Sequence, residues 1–372
     1  MLKSSYHYRL DLFRDRDEEL LGQSSIPLSS LSPALECLQF EAIRGERLPP
    51  RLGACPPSVI EPCWSHEQGR PYLDGMRLAI LEPQCAEEGS SARSIAESEI
   101  PTTYFRELAR AAGSELLAEG KLEKGELYRF RISAFYCGDR TGEPAEPPAL
   151  ATGSAGGLEV LPMEWELPIR THPIDGLLAR ASLEGEEDSG ALPLFIPGRV
   201  LDEVEALKVE ADGVETGGIL LGNMLRDGDR SELFVEVTAQ IHATDAPADA
   251  TRLSFTPETW AAVDDAIALR RKGEIRVGWW HSHPAKSWCS GCDPARWPHC
   301  PLAQAFFSTA DRHLHHTVFP AAFTVALIVG DEPTESLTWR TFHALFGWQE
   351  GELRRRSFHR LEDRRNKSLA NT

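Results

Sequence analysis

The chain has no apolar run near the roughly 20 residues that a membrane-spanning helix requires, and its start, MLKSSYHYRLDLFRDRDEE, turns charged where a secretion signal needs an apolar centre. A cytoplasmic location and no membrane contact are the expectations. It also lacks positive charge: 39 Lys and Arg stand against 57 Asp and Glu, a formal net charge of -18. Binding to a phosphate backbone needs the opposite surplus, so nucleic acid is excluded as a broad partner. Cysteine is sparse. Eight thiols in 372 residues are too few for a disulfide scaffold, and in a reducing compartment a C-x-x-C cluster reads better as metal-binding. No internal repeat is present.

What remains has the length of two folded units. The clearest compositional break is the acidic stretch SLEGEEDSG, from Ser182 to Gly190, so the expected division is an N-terminal domain over 1–181, a linker over 182–191, a second domain over 192–348 and a basic tail over 349–372. A Pro/Gly-rich run from Thr141 to Gly157 reads as a long loop or inner boundary. In the first half, Tyr128, Phe130, Ile132, Ala134 and Tyr136 alternate as in a half-buried strand, whereas Phe105, Leu108, Ala112 and Leu116 recur at helical spacing. The expectation is a strand-rich mixed domain that names no chemistry.

The second half is sharper. Leu201, Val204 and Leu207 predict a helix, GILLG (Gly218 to Gly222) and LFVEV (Leu233 to Val237) predict strands, and Thr256-Pro257 predicts an N-cap and first helical residue ahead of Trp260, Val263 and Ile267. Ile275 to Trp280 reads as a strand running into HSHP. FTVALIV, from Phe323 to Val329, reads as a central strand covered on both faces. Helices alternating with strands make this an α/β fold.

His281 and His283 are two residues apart at the end of a predicted strand, so both imidazoles face one side and two nitrogens can reach one ion. Pro284 ends the ladder there. An isolated H-x-H is more often packing than ligation, and a catalytic zinc also needs a third ligand and a nearby base.

Three segments in order, VETGGILLG (Val214 to Gly222), GWWHSHP (Gly278 to Pro284) and FSTAD (Phe307 to Asp311), followed by FTVALIV, resemble the JAMM (MPN+) zinc metalloprotease family. The resemblance spans about residues 192–348 and is to compact bacterial-type forms. It implies a central mixed sheet flanked by helices, with His281, His283 and Asp311 holding one catalytic zinc, Glu215 as general base and Ser308 assisting the oxyanion. It implies hydrolysis of a peptide or isopeptide bond, with a ubiquitin-like protein or its conjugates as substrate and conjugation enzymes as partners. The same zinc chemistry would serve small peptides or amide-linked metabolites, and the family also has an inactive scaffolding branch that lacks part of this residue set.

Two acids compete for the third ligand. Asp293, in SGCD, is closer in sequence to the histidines. Asp311, in STAD, leaves the right length for a helix before FTVALIV and is preferred, with residues 285–306 as an insertion. Ser308 three residues before Asp311 is also close to a capping box, and both readings can hold. Within the insertion, Cys289, Cys292 and Cys300 offer thiolates for a second, structural zinc, with His299, His313, His315 or His316 as fourth ligand. Against that stands the reading of three unlinked reduced thiols. Cys37, Cys55, Cys63, Cys85 and Cys137 are scattered and read as ordinary thiols. The basic tail reads as a solvated terminus.

Overall fold

The computed structural model describes residues 2–52, 56–67, 70–82, 93–137, 165–186, 190–244, 255–349 and 351–362. The chain forms two compact units, Met1–Glu166 and Leu167–Thr372. The Thr141 to Gly157 run, Cys55 and Cys85 lie outside the described residues.

In the first unit, Tyr6–Arg14 is the middle of a three-stranded antiparallel sheet between Leu20–Ile26 and Tyr128–Tyr136. A second sheet orders Leu2–Lys3, Ser58–Glu67, Arg70–Leu81 and Ser94–Pro101. Helices Ser32–Arg44 and Arg106–Ala118 supply the rest of a core that includes Leu10, Leu12, Ile43, Ile60, Met76, Leu78 and Phe105. The alternation from Tyr128 to Tyr136 does form the expected strand.

The second unit is built on one ten-stranded sheet. Its path runs Ala181–Glu184, Phe358–Leu361, Leu194–Pro197, Leu233–His242, Gly217–Arg226, Ile275–His283, Val325–Pro333, Trp339–Gln349 and Glu352–Arg356, and Ile169–Thr171 pairs alongside Gly217–Arg226. Parallel and antiparallel pairs mix, and the middle strands are buried on both faces, which is why FTVALIV reads as continuously apolar. That strand starts at Val325 rather than Phe323. Helices Gly198–Glu210, Pro257–Arg270 and Thr309–Val318 accompany it. Thr256 caps the second of these, its Oγ1 accepting from Thr259 N at 3.3 Å with Pro257 at the first helical position.

Two boundaries differ from the sequence reading. The division lies at Glu166/Leu167 rather than in 182–191, because Ala181–Glu184 pairs antiparallel with Phe358–Leu361 and so belongs to the sheet. For the same reason residues 349–372 are not wholly a solvated tail: Glu352–Arg356 and Phe358–Leu361 are strands, and residues 363–372 lie outside the described set. Alternating charges hide an edge strand when one face is wet. In the Gly198–Glu210 helix, Lys208 is buried along with Leu201 and Val204, and its Nζ binds Asp331 at 2.6 Å and Thr341 Oγ1 at 3.0 Å. Among the described residues no helix is long and apolar enough to cross a membrane.

Candidate metal centre

Strand pairing assembles the site. Gly217 lies opposite His281 and Gly218 opposite Trp280 in an antiparallel ladder. One residue further, Ser282 N donates to Thr216 O at 2.8 Å and Thr216 N to Ser282 Oγ at 3.0 Å. Glu215 directly precedes Thr216, and it lies close enough to His281 and Asp311 for their charges to act on its carboxyl. Gly218 has to be glycine: a Cβ there would run into the Ile241 carbonyl oxygen and sit 2.7 Å from Trp280 Nε1.

The third component arrives on the Thr309–Val318 helix. Ser308 is its N-cap, with Oγ accepting from Asp311 N at 3.1 Å and Ser308 N donating to the Asp311 carboxylate at 2.8 Å. This capping box leaves Asp311 in the first turn, pointing back at the helix entrance. His281 Nε2 is 3.0 Å from His283 Nε2 and 3.6 Å from Asp311 Oδ2. The ligand atoms of the three residues all lie within 4.8 Å of one another, the one such group of three or more among the described residues.

The donor set fits a zinc ion. Two imidazole nitrogens and a carboxylate oxygen are its usual partners, and bonds of about 2.0–2.1 Å in a tetrahedron put ligand atoms about 3.3 Å apart, close to the two separations above. Burial holds His283 neutral, its pKa lowered to about 3, which leaves a lone pair available for ligation at neutral pH. Burial alone would raise Asp311, but the neighbouring His281 and the hydrogen bonds from Ser308 outweigh it and hold the carboxyl below the usual range. The Nδ1 atoms of His281 and His283 are buried with no hydrogen-bond partner, so no carboxylate or carbonyl of the described chain reinforces their basicity.

Glu215 is 7% exposed. Burial raises its pKa to about 7, His281 opposes the rise and the charge of Asp311 adds to it. The competing acid, Asp293, is elsewhere: its side chain caps the Pro294–His299 turn, accepting from Ala295 N at 3.0 Å.

Aromatic rings frame the site. His281 stacks on Trp279 with centroids 4.7 Å apart, and His283 lies 4.5 Å from Phe306 and 5.8 Å from Trp288. His315, one turn after Asp311, is fully buried and accepts from Trp279 Nε1 at its Nδ1, 3.0 Å away. It ties the Asp311 helix to the His281 strand and is thereby removed as a fourth ligand for the cysteines. The sequence offered one signal for this, its i+4 spacing from Asp311 on an amphipathic helix. In the insertion, Cys289 and Cys300 approach to 3.6 Å between sulfurs, while Cys292 and His299 are exposed and complete no second convergent group.

Residues 197–297 match the Prok-JAB family, prokaryotic homologs of the JAB domain. The match includes Glu215, His281 and His283 and ends before Ser308 and Asp311. No curated protein matches the chain. Among solved structures, the solution structure of protein DSY2949 from Desulfitobacterium hafniense is similar at 18% identity, covering 46% of this chain and 94% of that one with a TM-score of 0.29.

Proposed function

We propose that the JAB/MPN-type domain of the C-terminal unit is a zinc-dependent peptidase that hydrolyses a peptide or isopeptide bond, with His281, His283 and Asp311 as ligands and Glu215 as general base. The observation that supports it most is the convergence of two buried Nε2 atoms and a carboxylate, beside a second carboxyl whose pKa is raised to about 7.

A zinc ion held there supplies Lewis acidity and lowers the pKa of water to about 7. Glu215, close to half-ionised at neutrality, is matched to taking a proton from water and returning it to a departing amine, because a base with a pKa near the working pH does both steps without a large penalty. Ser308, whose Oγ accepts the Asp311 N–H, stands at the tip of the helix, where its hydroxyl would turn toward an oxygen that gains charge. The Trp279 ring against His281 and the Phe306 ring against His283 keep the imidazoles from turning away.

The substrate is a ubiquitin-like protein joined to lysine, or its precursor, with the conjugation enzymes as partners, an assignment that rests on the resemblance. The test pairs two substrates with two proteins. Wild type is expected to cleave a modifier–lysine isopeptide and to leave short peptides largely intact, and Glu215→Gln to keep its zinc while turnover falls about 10²–10⁴-fold. A fully zinc-loaded wild type that cleaves neither substrate would make the domain a scaffold.

A further inference from the structure

The 285–306 insertion has little core of its own. Its buried side chains are Ala285, Cys289 and Ala303, and its regular structure is limited to three short turns, Ala285–Trp288, Pro294–His299 and Pro301–Ala303. Yet it supplies Trp288 beside His283 and leads directly into Phe306 and Phe307, so something must order it. A segment with too few apolar residues is commonly ordered by a metal.

We propose that Cys289 and Cys300 anchor a structural zinc ion, separate from the histidine site, which the exposed Cys292 joins as a third thiolate when the ion binds. Three observations carry this. The Cys289 and Cys300 sulfurs are 3.6 Å apart, close to the roughly 3.8 Å between two thiolates on a tetrahedral zinc with bonds of about 2.3 Å, and far longer than a disulfide. Cys292 N donates to Cys289 O at 3.0 Å, a tight turn that keeps the backbone of the C-x-x-C compact. The third thiol sits at the start of a turn in which Ala303 N donates to Cys300 O at 3.0 Å.

Cys292 and His299 are exposed, so their side chains can move to the ion.

The proposal stands apart from the hydrolase reading, and one set of metal analyses separates them. Full-length wild type purified without chelator is expected to hold two zinc ions per chain. Cys289→Ser and Cys300→Ser are each expected to hold one, as is His281→Ala combined with His283→Ala. Loss of zinc only on cysteine substitution would keep this proposal and sink the other. Zinc-edge absorption of wild type, which needs no variant to fold, is expected to show sulfur neighbours at about 2.3 Å. In wild type, three thiols should resist iodoacetamide until a chelator is added. Three results would overturn the proposal: a zinc shell without sulfur, a single ion that both serine variants retain, or a Cys289–Cys300 disulfide in the native protein.

Discussion

Both units bury carboxylates, and two of these, Asp11 and Glu215, are treated in opposite ways. Asp11, in the N-terminal unit, is 1% exposed, and Arg9 Nε at 2.7 Å, Ser133 Oγ at 2.8 Å and Gln23 Nε2 at 2.9 Å surround it. Burial alone would raise its pKa, but these donors outweigh burial and lower it. Glu215 is nearly as buried, draws no hydrogen bond among the described residues, and is pushed up to about 7. A buried acid with a full set of donors is a structural group. One left with only nearby charges is poised to exchange a proton near neutrality.

The largest test of that contrast exchanges each acid for its amide. Glu215→Gln should cost the activity described above while the melting temperature stays the same or rises. The sign follows from the raised folded pKa: the ionised acid is disfavoured in the folded state as pH climbs from about 4.5 to about 7, and the amide removes that cost. Asp11→Asn should do the reverse, destabilising the N-terminal unit by about 1–2 kcal/mol through lost charge-assisted bonds, with kcat/KM unchanged. Thermal melts and steady-state kinetics on both variants read all four outcomes. If Asp11→Asn lost activity in proportion to Glu215→Gln, the contrast would fail.

Acid sharpens it at the level of whole units. His315 and His343 in the C-terminal unit are lowered by burial to about 3 and about 4, from 6.5. Their neutral burial contributes fully above pH 6.5, and that stability is lost as pH falls toward 4, by up to about 1.4 kcal/mol per pH unit for each group. The lowered carboxyl of Asp11 contributes above 3.8 and loses its contribution only as pH falls below that. Tryptophan fluorescence and hydrogen exchange across an acid titration should show the C-terminal unit loosening first, beginning below pH 6.5. Loss of both units together only near pH 3 would contradict this.

The smallest expected effect is at His315. Gln there keeps an acceptor for Trp279 Nε1, so His315→Gln should retain most of the zinc affinity that His315→Ala loses, a loss of about 10–100-fold for an outer contact. Zinc competition titrations read the difference, and equal affinity in both variants would reduce His315 to packing.

Much of the site was legible in the sequence because its parts are local. H-x-H on a strand fixes two side chains on one face by geometry alone, and S-x-x-D at a helix start fixes the capping box. The Thr256-Pro257 helix start and the doubly covered strand near FTVALIV were readable for the same reason: each is a pattern within a dozen residues. Boundaries that depend on a distant partner were not. Ala181–Glu184 looked like linker because its pairing with Phe358–Leu361 lies some 180 residues away, and a burial such as that of Lys208 is permitted only by Asp331 and Thr341 arriving from other strands.

The order of residues by itself determined which groups exist and, through strand alternation and helix capping, how His281, His283, Ser308 and Asp311 are presented locally. Tertiary structure decided which acid meets the histidines, that Glu215 comes within reach of the charges of His281 and Asp311, and that His315 serves Trp279 instead of the cysteines. Those outcomes are set by pairing register and by the dielectric around each group, and both come from contacts between segments far apart in the chain.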